Sequence, residues 1–205
     1  MTIDIPAVES LCINSCFFVI LGTTLYYWIK IIFGGETSYN QTGLVGYGGA
    51  VFCLTSTLIL RWVDSGHFPL SNLYESLLFL AWCLLILHIY IENITKTLFL
   101  GVLTSPAILC LVAFTGFSLP PELQRSSPLV PALQSNWLVM HVTVMIASYA
   151  ALLLGCFVAI AYLIFSKFGP KMDLFPKTRF WDRKGNRFDL LKLVSFPKEI
   201  LGPNR

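Results

Sequence analysis

Of the chain's 205 residues, 56% are apolar and only 12% are charged, with a formal net charge of +3 and a mean hydropathy of +0.72. That is about half the usual share of charge, which leaves too little polar surface for a water-soluble enzyme and excludes a disordered or nucleic-acid-coating chain. Five membrane-spanning helices of about 20 residues would absorb roughly 100 of about 115 apolar side chains, so the composition fits an all-α, polytopic membrane protein.

In chain order, the first apolar run covers 11–33 and follows MTIDIPAVES, a segment with Asp4 and Glu9 and no basic residue. A signal peptide would begin basic, so this run is expected to stay as an anchor. The second run, 44–62, opens with Gly46, Gly48, Gly49 and Ala50, small residues that let a neighbouring helix come close. The third spans 73–92. The fourth, 97–118, holds Ser105-Pro106 near its middle, where the missing N–H predicts a kink. The fifth and longest, 137–165, ends the membrane domain expected over 1–165; residues 166–205 form a basic tail. Six cysteines (Cys12, Cys16, Cys53, Cys83, Cys110, Cys156) lie inside the apolar runs without a C-x-x-C pair, and read as small packing residues.

An odd number of spans puts the termini on opposite sides. Lys30, Lys96 and the ten basic residues of the tail share one side, against only Arg61 and Arg125 on the other. The positive-inside rule therefore predicts an inner tail and an outer N-terminus, with the 63–72 and 119–136 loops also outside. Trp62 and Trp137 then sit at the outer interface and Trp28 near the inner one.

This topology separates the three histidines. His67 and His141 fall at the outer face, and His88 near the inner end of the third helix, with no obvious partner. Two outer imidazoles are the plausible ligand pair for haem iron, Zn or Cu, and an interfacial site walled by apolar residues suits amphipathic haem; ordinary interfacial hydrogen bonding is the alternative reading. His141 shares a helical face with Met145, Ser148, Leu152, Gly155 and Ala159, a narrow seam expected to face inward against another helix. Glu75 is a carboxylate one turn below the outer interface, expensive there unless paired. Arg61 at the neighbouring helix end is a candidate partner, in a structural ion pair or in a binding role, and Asn72 is a candidate N-cap for the third helix.

Two stretches, SGHFPLSNLYESLLFLAW (65–82) and LVPALQSNWLVMHVTVMIASYAALL (129–153), closely resemble the CcsA family of chloroplast cytochrome c biogenesis proteins, with a similarity that covers about 44–165. The resemblance implies a multi-pass protein of a thylakoid (or bacterial plasma) membrane in the System II pathway. Such proteins deliver haem to the outer side and attach it to apocytochrome c, with a CcsB/Ccs1-type membrane partner. It further implies that His141, in its NWLVMHV context, is an axial haem and metal ligand, with His67 as a second cofactor-binding candidate. Family members continue into a W-G-x-x-W-x-W-D segment and another outer histidine. Trp181-Asp182 in the basic tail does not replace these, so the chain resembles the N-terminal part of the family protein and is not expected to attach haem alone. A structural membrane subunit or truncated remnant that binds no haem is the competing reading.

Overall fold

A computed structural model describes residues 5–33, 41–95, 98–124 and 135–168, together with the pairs 180–181 and 187–188. The chain forms helices α1 (Ile5–Phe33), α2 (Thr42–Ser65), α3 (Leu73–Thr95) and α4 (Leu98–Ala113), the last continued by one π-helical turn, Phe114–Ser118. A short α5 (Pro121–Gln124) and a long α6 (Asn136–Phe168) follow. Five of these helical segments are long and apolar enough to cross a membrane, as the composition requires. Residues 166–168 of the expected tail continue α6, and further on Phe180–Trp181 pairs antiparallel with Arg187–Phe188; the rest of the expected tail lies outside the described residues.

Helix limits follow local chemistry. α1 starts six residues before the apolar run because Pro6 falls in its first turn, where its missing N–H costs nothing. α2 ends at Gly66, which takes φ 70° and donates its N–H to the Trp62 carbonyl at 3.0 Å, a left-handed cap that suits glycine. Asn72 caps α3 as expected, its Oδ1 accepting the Glu75 N–H at 2.9 Å. Pro106 is retained inside α4. The following π-helical turn closes where Leu119 N–H donates to the Phe114 carbonyl at 3.2 Å.

α1 and α2 pack most intimately, and the small residues of α2 explain it. A Cβ on Gly46 would overlap Thr23, and one on Gly49 would reach Val19 at 3.8 Å, while the Cys16 thiol points at the Ala50 carbonyl at 3.7 Å. α3 lies at the centre against α2, α4 and α6. Its core side chains include Leu78, Leu84 and Leu85. α6 docks on α3 and α4 through Ile146, Ala150 and Leu154, spaced four apart.

That docking stripe overturns the expected orientation of α6. His141, Met145, Ser148, Leu152, Gly155 and Ala159 are all exposed, so the seam headed by His141 turns away from the other helices. Ile146 lies about 140° around the helix from His141 at 100° per residue. In an apolar span, lipid-facing and packed stripes are equally hydrophobic, and composition does not tell them apart. Only 17% of the α6 window is buried, against 28–44% in the other four spans.

Candidate functional site

At the end of the bundle that carries the α2–α3 connection, charged side chains converge beneath the surface. Arg61 Nε donates to Glu75 Oε1 at 2.8 Å, Nη1 to Glu9 Oε1 and Nη2 to the Gln124 carbonyl. Its guanidinium also lies over the Tyr74 ring, 4.5 Å from the centroid. The second Glu75 oxygen accepts the Ser71 N–H at 2.6 Å and the Ser71 hydroxyl at 2.7 Å, and Tyr74 Oη donates to Glu9 at 3.1 Å. The candidate Arg61–Glu75 pair is therefore present as part of a larger cluster that joins α1, α2, α3 and α5. Arginine suits this position because its planar fork reaches three acceptors in three directions.

The cluster frames the loop that bears His67. Ser65 Oγ donates to the Arg61 carbonyl at 2.8 Å and approaches the His67 carbonyl at 3.1 Å. Next to the histidine, Phe68 packs edge-on against Trp62 at 5.3 Å and Phe79 at 6.0 Å, contacts worth about 0.5–1.5 kcal/mol each beyond area burial. His67 is half-buried, and its Nδ1 lies 3.2 Å from the Phe68 carbonyl. Donation from Nδ1 to that carbonyl would leave the Nε2 lone pair free to bind an electrophile such as a metal ion.

His141 sits about one turn into α6 with its side chain exposed, beside Trp137 and Met140, which are 86% and 65% exposed. Among the described residues its ring nitrogens have no hydrogen-bond or ion-pair partner. The structure records no contact between His67 and His141. Among the described residues no three His, Cys, Asp or Glu side chains form a metal-binding group. The donor chemistry, one or two imidazoles flanked by exposed apolar and aromatic side chains, fits haem better than a closed zinc or calcium site, which needs more ligands.

At the opposite end of the bundle the sequence reading of His88 is incomplete. His88 is fully buried, with Nε2 2.8 Å from Glu92 Oε2 and Nδ1 2.7 Å from Thr104 Oγ1. Tyr27 Oη donates to the other Glu92 oxygen at 2.6 Å. The signal was present as an i, i+4 His–Glu pair on one helical face. Glu9, which lies 52 positions from Arg61, carried no such local signal.

The comparisons agree on one family. The model described as cytochrome c assembly protein matches residues 70–202. A protein of Chlorella vulgaris named cytochrome c biogenesis protein CcsA is 76% identical over 168 residues, which is 82% of this chain and 53% of that protein. Proteins of the same name are 47% identical in a Picosynechococcus species, over 83% of this chain and 50% of the relative, and 45% identical in Thermosynechococcus vestitus, over 78% and 50%. The chain spans about half the length of these curated relatives. No solved structure matches it. A family match over most of the chain, high identity to relatives and the five apolar helices together show that this multi-pass membrane chain belongs to the cytochrome c assembly protein family.

Proposed function

We propose that this chain is the haem-handling membrane part of a c-type cytochrome maturation system. In this reading it holds b-type haem transiently at the end of the bundle that carries His67 and His141. The observation that carries the proposal is His141, an exposed imidazole whose nitrogens have no partner among the described residues, in a chain whose relatives are named for cytochrome c biogenesis. Haem supplies the iron that an imidazole ligates and the macrocycle that is joined to cysteines of apocytochrome c. This chain's own residues have positioning tasks. His141 would offer an imidazole nitrogen to the iron, and His67, oriented by the Phe68 carbonyl and held by the Arg61 cluster beneath it, would offer Nε2. The apolar side chains around Trp137 and Met140 shield the macrocycle face from water.

The algal and cyanobacterial sources of the relatives support a thylakoid location, with a bacterial plasma membrane as the equivalent setting. The His67 end faces the lumen together with the N-terminus, and the basic tail faces the stroma, because ten of the fourteen Lys and Arg lie in 166–205. The partners in this reading are apocytochrome c and a CcsB/Ccs1-type membrane protein. The haem content of the purified full chain, measured as pyridine haemochrome, tests the reading. His141→Gln should lose most of the co-purified haem, while Ser148→Ala, on the same exposed face, should retain it. Equal haem in parent and His141→Gln would remove the ligand role and with it the proposal.

A further inference from the structure

The cluster around His88 lies within the membrane-spanning part of the bundle, away from His67 and His141. Four helices contribute to it: Tyr27 from α1, Tyr47 from α2, His88 and Glu92 from α3, and Thr104 with Ser105 from α4. All except Thr104, at 1%, have no measurable exposure. Counting hydrogens around the ring decides what the cluster holds. The single hydrogen of the Thr104 hydroxyl is directed to the Leu100 carbonyl at 2.7 Å, so toward His88 Nδ1, also at 2.7 Å, its oxygen is an acceptor. Nδ1 must then carry a hydrogen.

A neutral imidazole has only one N–H, which leaves Nε2 bare and facing Glu92 Oε2 at 2.8 Å. Two acceptors at that distance repel each other, so a second hydrogen must lie between them. It belongs either to an imidazolium beside a carboxylate or to a neutral imidazole beside a carboxylic acid, and the pair has no net charge in both cases. The other Glu92 oxygen accepts from Tyr27. Among the described residues, two side chains donate to or share a hydrogen with this carboxylate, and of these His88 is the one that can become cationic. Without the shared proton a bare carboxylate would remain inside the span, which is strongly unfavourable.

We propose that His88 and Glu92 form a membrane-buried proton-binding site that holds one proton in the Nε2···Oε2 hydrogen bond. A second observation sets the site apart from a closed structural lock. Tyr47 packs edge-on against the His88 ring at 4.5 Å; its hydroxyl and that of Ser105, which follows Thr104, are buried close to each other and bond to no other group among the described residues. Buried hydroxyls are ordinarily satisfied. A neutral hydroxyl does not hold an extra proton, but one with spare donor and acceptor capacity can pass a proton on, so these two hydroxyls are suited to relay and not to store. Among the described residues, the titratable groups packed on the site are Tyr27, Tyr47 and Glu92, while α4 contributes the hydroxyls of Thr104 and Ser105.

Because the chain has three histidines, the His67→Gln/His141→Gln variant leaves His88 as the only imidazole. This variant, labelled with 15N-histidine and reconstituted in lipid vesicles, is examined by solid-state NMR at pH 7. The expected spectrum has Nδ1 protonated, with Nε2 at a protonated or intermediate position. Adding Glu92→Gln should move Nε2 to the bare-nitrogen range while Nδ1 stays protonated. An Nδ1 without hydrogen beside a protonated Nε2 would mean that Thr104 donates to the ring and that no proton is shared, which overturns the proposal. If Glu92→Gln fails to fold, the spectrum of the parent decides alone. The readout is independent of haem, so it neither rescues nor sinks the haem-handling reading.

Discussion

Replacing Arg61 with Met removes a cation with 4% side-chain exposure and keeps most of its volume. Glu75, with no exposure, and Glu9, at 15%, then converge without a counter-charge. The Ser71 N–H and hydroxyl still solvate one Glu75 oxygen, but the oxygen that faced Nε has nothing. Breaking a buried ion pair from one side costs about 3–5 kcal/mol, and loss of the Tyr74 cation–π contact adds about 0.5–2 kcal/mol. A total near 5 kcal/mol lowers the folded-to-unfolded ratio by about 5,000-fold. Unfolding of the purified protein by titrating SDS into mixed micelles, followed by far-UV circular dichroism, measures the difference. Arg61→Lys should fall between parent and Arg61→Met, since an ammonium is a point charge without the three-way reach of the guanidinium. Arg61→Met combined with Glu75→Gln should recover part of the loss, because the second change removes the stranded charge. If Arg61→Met unfolds within about 1 kcal/mol of the parent, the cluster is not the anchor of this end of the bundle, and the reasoning that it holds the His67 loop fails.

Other outcomes follow from single contacts. Gly46→Leu should drive Thr23 out of its position and separate α1 from α2, costing about 1–3 kcal/mol, with partial recovery in combination with Thr23→Ala in the same SDS titration. Tyr27→Phe should cost about 1–3 kcal/mol by removing the donor to a buried Glu92 oxygen; a neutral effect would mean that this oxygen finds another donor. Trp82→Phe should cost about 0.5–1.5 kcal/mol through loss of the 2.9 Å Nε1 hydrogen bond to Thr55, read as a shift in the thermal midpoint. Protease added to sealed vesicles should remove the 166–205 tail only from the side that corresponds to stroma, and cleavage from the lumenal side alone would reverse the orientation.

The spans were legible because about 20 consecutive apolar residues have few other uses. The Arg61–Glu75 pair was legible because two opposite charges near one membrane surface, on consecutive helices, have strong reason to meet. Glu9 was not: hydropathy places it in the leader of the first span, and only the packing of α1 brings its carboxylate to Arg61. His88 was read as lone although Glu92 follows it by four residues, since the deciding partners, Tyr27 and Thr104, come from other helices. The face of α6 was misjudged for a physical reason. The rule that small residues mark a helix interface holds at Gly46, where Thr23 fills the gap, and fails at Gly155, where nothing lies within 4 Å of an added Cβ.

Tyr27 passes between two glycines on its way to Glu92. A Cβ on Gly43 would overlap the outer part of its ring and Oη, and a Cβ on Gly101 would overlap the ring edge. Three positions on α1, α2 and α4 are thereby locked into one steric equation, although they are far apart in sequence. Substitution at either glycine is strained while the ring is present, and shortening Tyr27 opens a void that alanines at 43 and 101 would partly fill. Across an alignment of relatives, the three columns should therefore change together or not at all. Sequences with a small residue at position 27 should be those that tolerate side chains at 43 and 101, and they should also be free to vary at 92, because the carboxylate there would have lost its phenolic donor.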